Sequence, residues 1–108
     1  MARTFDQEQL EQLAGGDKAF EKELLQLFAD DTENSLNQLE SAVHSENQAA
    51  IQSLAHYIKG ASANVGAVGM SRAAAQLEKL AKLGNLETAL SSFRQLQVLH
   101  QEIKRMSR

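Results

Sequence analysis

The chain has 108 residues, with 11 Lys plus Arg against 14 Asp plus Glu, and no Pro, Cys or Trp. That length fits one domain, 1–108, whose apolar residues are mostly Leu, Ala, Ile and Val, a composition that suits helix packing better than a β-sandwich. The missing cysteine excludes disulfides, thiolate metal sites and thiol nucleophiles, and a net charge of -3 offers no general field for nucleic acid.

Glycines punctuate the chain at Gly15-Gly16, at Gly66 and Gly69, and at Gly84. A short first helix is expected from about Asp6 to Leu13, capped by Thr4 or Asp6 and stopped by Gly15-Gly16. Asp17 is a suitable N-cap for a long second helix that carries Phe20, Leu24, Leu27, Phe28, Ser35, Leu36, Leu39 and Val43 at mostly three- and four-residue spacings. The run Ser45-Glu46-Asn47-Gln48 has the form of a capping box, Ser followed three residues later by Gln, so a third helix is expected to begin there and reach Val65. Gly66 and Gly69 mark a tight corner. Beyond it Met70, Ala73, Ala74, Leu77, Leu80 and Ala81 form the apolar stripe of a fourth helix that ends at Gly84. Asn85 can cap the last helix, whose inner face is Leu86, Ala89, Leu90, Phe93, Leu96, His100 and Ile103, followed by Lys104, Arg105 and Arg108 at the end the helix dipole favours for cations. The expected fold is all-α: an antiparallel four-helix bundle with a short additional N-terminal helix.

The third helix does not read as plain scaffold. At about 100° per residue, Leu54, Ala55, Ile58, Ser62 and Val65 fall near Ile51 on one face, the core face. His56, Gly60 and Ala63 lie on the opposite face, with Lys59 at the edge between the two. At spacings of i, i+3, i+4 and i+7, the four residues His56, Lys59, Gly60 and Ala63 make one surface patch. A lone exposed histidine is usually an ordinary surface residue, and a mid-helix glycine often marks close helix packing. Their joint placement opposite the core suggests more. A glycine one turn from the imidazole lets a partner's backbone approach the ring, and Lys59 supplies a cation suited to a phosphoryl oxyanion. The combination favours a phosphorylatable histidine presented to another protein.

The run Ala55-His56-Tyr57-Ile58-Lys59-Gly60-Ala61-Ser62-Ala63-Asn64-Val65-Gly66-Ala67 resembles the signature of histidine-containing phosphotransfer (HPt) domains, A-H-x-h-K-G-[SA]-[SA] followed by an apolar residue, Gly and Ala. Ala61 stands where serine is frequent, a small-for-small change. Leu24-Leu25-Gln26-Leu27-Phe28, with Leu36, Leu39 and Glu40, is similar to the family's long second helix, and Ala74-Ala75-Gln76-Leu77-Glu78 to its A-x-x-L-E helix. The resemblance implies a helical bundle whose exposed His56 accepts a phosphoryl group from the aspartyl phosphate of a response-regulator receiver domain, or from a sensor or hybrid histidine kinase, and relays it to the aspartate of another receiver. Glu78 falls at a position that is polar and near the histidine in some members. A carboxylate there could accept Nδ1–H and leave Nε2 as the nucleophile, although a glutamate beside Lys79 and Lys82 also fits a solvated helix face. Tyr57, Ala63 and Asn64, with parts of the second and fourth helices, are candidates for the docking rim.

Phosphoryl transfer is largely positioning and charge stabilisation, so such a carrier needs no metal site, nucleotide loop or ATP of its own, and Mg²⁺ is expected from the partner receiver. No Gly-rich nucleotide loop is evident. His44, at a helix end, reads as a dipole partner, and His100, on the apolar stripe, as a partly buried packing residue with its nitrogens hydrogen-bonded. Nothing approaches the roughly 18 apolar residues of a membrane span, and Met1 to Phe5 lack a secretory apolar run, so a cytoplasmic, monomeric protein is expected. Two other readings stay open: a helical adaptor without chemistry, and a phosphoacceptor module cut from a histidine kinase. The short lead and basic end favour a free-standing carrier over the latter.

Overall fold

The computed structural model describes residues 4–108, so residues 1–3 of the expected N-terminal lead lie outside the described residues. Five helices follow one another: α1 (Gln7–Leu13), α2 (Lys18–His44), α3 (Gln48–Val65), α4 (Val68–Lys82) and α5 (Leu86–Met106). At about 1.5 Å per residue, the 27 residues of α2 run nearly the whole 42 Å length of the molecule. The short connections force successive helices to run antiparallel, and α2 closes the ring by packing on both α3 and α5. The result is the expected four-helix bundle, with α1 laid against α2 and α3.

Four of the five helices start on a side-chain cap, and α4, preceded by Ala67, has none. Asp6, Asp17, Asn47 and Asn85 accept the backbone N–H three residues on, which satisfies donors that have no partner within their helices. The third of these corrects the expected capping box. Ser45 does not open α3; it closes α2, its hydroxyl donating to the carbonyls of Ser41 and Ala42. Asn47 caps α3 instead, accepting from Ala50 N at 3.1 Å.

The four ends that lead into turns share one device. After α2, Asn47 N donates to Ala42 O and Glu46 N to Val43 O, with Glu46 left-handed at φ 54. The same nested pair closes α1, α3 and α4, where the left-handed residue is Gly15, Gly66 or Gly84. Gly66 is the most constrained. At φ 87, a Cβ there would also stand 2.5 Å from the Asp6 carbonyl oxygen. The corner is Gly66-Ala67 alone, because Gly69 already belongs to α4, where its N–H donates to Thr4 O at 2.9 Å.

The core is drawn from all four long helices and includes Leu25, Phe28, Leu36 and Leu39 of α2, Ile51, Ala55 and Ile58 of α3, and Phe93, Leu96 and Ile103 of α5. Every apolar position expected on α4 is buried. The expected faces of α2 and α5 need correction. Phe20 and Leu27 are 41% and 65% exposed, Leu90 is 37% exposed, and Leu25 takes the core position on α2. On the helical wheel Phe20 and Leu27 lie together, turned away from Leu25 and Leu36, while Leu24 at the edge of that stripe is partly buried and packs against the core, so α2 carries a second apolar stripe that is only partly covered. No helix among the described residues is long and apolar enough to cross a membrane.

A left-handed backbone costs a non-glycine residue about 1–2 kcal/mol, of which glycine's greater unfolded-state freedom offsets part. Glu46→Gly is therefore expected to stabilise the fold by about 1 kcal/mol, read as a higher urea midpoint with an unchanged slope; a lower midpoint would count against this account of the turn.

Candidate functional site

His56 sits midway along α3 on the ridge opposite Ile51, Ala55 and Ile58, and its side chain is 68% exposed. The stripe around it is small: Ala49 and Ser53 on the preceding turns, Gly60 and Ala63 on the following ones. Together with Gln52 and Glu78, Ala49 and Ser53 line a shallow open depression beside the ring. The helical wheel also decides which neighbour each flank reaches. Lys59 turns to one side, towards α4, and Tyr57 to the other, towards α2.

On the α4 side the Glu78 carboxylate receives two donors from α3. His56 Nδ1 lies 2.9 Å from Oε2 and Lys59 Nζ lies 2.8 Å from Oε1. An ionised carboxylate only accepts, so the proton in the first contact belongs to Nδ1, and in the neutral ring Nε2 keeps its lone pair. The hydrogen bond from Lys59, aided by that from His56, holds the Glu78 carboxyl below its ordinary value of 4.5, against partial desolvation that pushes it up. Lys59 is anchored in turn through its carbonyl, which accepts from Ser71 Oγ at 3.1 Å.

The solvated-face reading of Glu78 does not hold, since its side chain is only 21% exposed and engaged at both oxygens. Lys59 lies where the wheel puts it, at the edge of the face, with its ammonium on Glu78. Gly60 carries a sharper message. A Cβ built there would meet nothing within 4 Å, so no neighbouring helix requires the glycine. It nevertheless costs α3 about 1 kcal/mol relative to alanine. Close packing therefore does not explain it.

On the α2 side Tyr57, half-exposed, donates its hydroxyl to Asp31 Oδ2, which raises the phenol above its usual range. Asp31 was not evident from the sequence, although it lies one turn beyond Leu27 on the outward apolar stripe of α2. Phe20 and Leu27 extend that stripe as exposed apolar surface. Ala63 and Asn64 are exposed, and their backbone carbonyls accept from Gln9 Nε2, so α1 caps the end of α3 that carries them.

The other histidines are placed differently. His44 ends α2, exposed in its last turn. His100 is buried, and its Nε2–H donates to the Ala29 carbonyl at 2.9 Å, which ties α5 to α2 and leaves that nitrogen unavailable for chemistry.

Comparison with known proteins gives the family and the fold. The sequence model of the Hpt domain matches residues 23–108. Among solved structures, the histidine-containing phosphotransfer protein B (HptB) of Pseudomonas aeruginosa superposes with a TM-score of 0.90 at 27% identity, over 99% of this chain and 93% of that one. A rice protein described as a histidine-containing phosphotransfer protein gives 0.85 at 21% identity, over 96% and 76%. The HPT domain of a sensor hybrid histidine kinase from Shewanella gives 0.72 at 20% identity, over 95% and 92%. At those identities the last two show a shared fold. No curated protein matches the chain in sequence.

The lowered Glu78 carboxyl fixes the sign of a pH effect. Stability from its contacts is present above about pH 4.5 and is lost as pH falls through the lower folded value. The gap in denaturation midpoint between the wild type and Glu78→Gln is thus expected to be present at about pH 5 and to close as pH falls below about 4.5, small throughout because the pair is partly solvated. A gap independent of pH down to about pH 2 would contradict the ion pair.

Proposed function

The chain belongs to the Hpt domain family and so relays phosphoryl groups in two-component signalling, and on that premise we propose that His56 is the residue that carries the group. The observation behind this is the division of labour on one ring. Nδ1 is committed to Glu78, while Nε2 has no hydrogen-bond partner among the described residues on a largely exposed side chain.

In this reading the Nε2 lone pair attacks phosphorus on the aspartyl phosphate of a receiver domain or takes the group from a kinase, and the reverse attack by a second receiver's aspartate removes it. Glu78 orients the ring, and Gly60 leaves room for the partner's active-site loops. Tyr57, Ala63 and Asn64, with Phe20 and Leu27 on α2, form the rim on which the partner docks. The protein acts as a carrier with no ATP chemistry of its own, and the Mg²⁺ that shields the phosphoryl charge comes with the receiver. A monomer in the cytoplasm completes the reading.

The test is label transfer from a receiver bearing radioactive aspartyl phosphate. The wild type and His44→Gln are expected to acquire acid-labile, alkali-stable label, as is His100→Gln at a temperature where it remains folded, and His56→Gln is expected to acquire none. Label retained by His56→Gln would overturn the assignment, and a wild type that takes no label would leave a helical adaptor as the better description.

Gly60 separates function from stability. Gly60→Ala is expected to raise stability by about 1 kcal/mol. Gly60→Gln should preserve helix content by circular dichroism yet slow transfer on the order of tenfold or more, since small misplacements of reacting atoms are costly. Unchanged transfer in Gly60→Gln would remove the close-approach argument.

A further inference from the structure

We propose that the face around His56 is electrically two-sided, acidic on its α2 flank and basic on its α4 flank, and that this pattern fixes the rotation in which a receiver domain docks. It selects a receiver whose rim is basic where it meets α2 and acidic where it meets α4. This rests on the reading of His56 as the phosphoacceptor and adds to it the charge pattern of the partner.

The ridge between the flanks is close to neutral. α3 carries no Asp, Glu or Arg, and its one lysine, Lys59, is held by Glu78 at 2.8 Å. On α2, Glu23, Asp30 and Asp31 are exposed and fall within about 60° of Leu27 on the helical wheel, whereas the two lysines of that helix, Lys18 and Lys22, lie about 140° or more away. On α4, Arg72, Lys79 and Lys82 are exposed and fall within about 60° of Ala75, and the one acid of that helix, Glu78, is turned to α3. None of these three acids and three bases has an ion-pair partner among the described residues. Asp30 and Asp31 are met by the neutral donors Gln26 and Tyr57, so their charge is not cancelled within the chain.

Phosphoryl transfer needs the nucleophile, phosphorus and the leaving oxygen in line, which sets an axis of approach and leaves rotation about that axis free. The small uncharged side chains of the ridge give little hold against such rotation. Flanks of opposite sign supply it: one orientation pairs both with opposite charge, and a half turn sets like charges together on both sides. The same separation of charge turns an approaching receiver before contact, over about 8–10 Å at physiological ionic strength.

A second copy of the chain would also match the pattern, since a two-fold axis parallel to α3 lays the α2 flank of one copy on the α4 flank of the other. That arrangement would bury His56 and Gly60 against another histidine ridge, with no aspartate to give or take a phosphoryl group. The open space at Gly60, which no neighbouring helix requires, favours a partner whose loops enter beside the ring. The receiver is therefore the better occupant of the face.

The experiment is label transfer to the full chain from a panel of radioactive phospho-receivers, with the fastest of them then followed at low salt and at about 0.5 M salt, where surface charge is screened. Glu23→Lys with Asp30→Lys reverses the α2 flank and spares the Tyr57 contact; Lys79→Glu with Lys82→Glu reverses the α4 flank and spares Glu78. Glu87→Lys with Glu102→Lys, and Arg94→Glu with Arg105→Glu, repeat the same changes of net charge on α5, the helix across the ring from α3. At low salt each flank reversal is expected to lower the second-order transfer constant on the order of tenfold, with most of the loss recovered at high salt, the scale of an electrostatically steered encounter. The first-order rate at saturating receiver should stay at the wild-type level, and both α5 controls should match the wild type throughout. Loss from one flank only or from neither would overturn the inference, as would an equal loss in the controls, which would make the effect one of net charge. A wild-type dimer in sedimentation equilibrium that either flank reversal dissociates would also overturn it and assign the face to a second copy. A wild type that takes label from no receiver would instead overturn the phosphoacceptor reading on which the inference rests.

Discussion

A carboxylate on α4 that accepts from two donors one turn apart on α3 requires the two helices to run side by side in a fixed register. Several contacts set that register. Gln48 Nε2 reaches the Lys82 carbonyl at the open end of the hairpin, and Ser71 Oγ reaches the Lys59 carbonyl nearer the corner. At the corner the left-handed Gly66 reverses the chain, the Asp6 N–H donates to the Gly66 carbonyl, and Thr4 O accepts from Gly69 N. Between these points the interface is filled by small side chains such as Ala55, Ala74 and Ala81, each essentially without exposure. Small residues let the axes approach, and close axes bring a glutamate within reach of both a ring nitrogen and an ammonium group. The site is thus a consequence of hairpin packing, and α1 serves it indirectly by bracing the corner.

The same helix meets two opposed demands. Its inner face must be fully apolar, and Ile51, Ala55 and Ile58 are almost completely buried. Its outer face gives up stability for access: it holds Gly60 with open space where a Cβ would stand, and flanks the ring with Ala49, Ser53 and Ala63 where longer helix formers would cover more surface. The buried face can support this because it belongs to a core shared by four helices, so the cost is spread over the whole bundle. Rigidity beneath the ring and openness above it come from one periodicity.

That periodicity is why the fold was legible in the sequence. Helix positions, the α4 stripe and the exposure of His56 follow from a repeat of 3.6 residues, which is local information. Turns were legible where their left-handed residue is glycine and illegible where it is not. The α2–α3 turn uses Glu46, so nothing marked its conformation, and the Ser45 to Gln48 pattern drew the cap two residues too early. The double stripe on α2 was ambiguous for a related reason. Apolar residues on the core face and on an outward face look alike in sequence, and only the neighbours separate Leu25 from Leu27.

Helical spacing made the site legible to the same extent, and only the family resemblance pointed further, to Glu78. A wheel places Lys59 beside His56 but does not say what lies across the interface, and a cation at the edge of a helix looks available until the carboxylate opposite it is known. Glu78 is 22 residues from His56 and Asp31 is 26 residues from Tyr57, separations at which no local spacing rule operates. The first of these pairings sets which nitrogen of the ring faces a carboxylate and which is left open. The type and position of the proposed phosphoacceptor are written in one helix, whereas the partner of its Nδ1 depends on the packing of two.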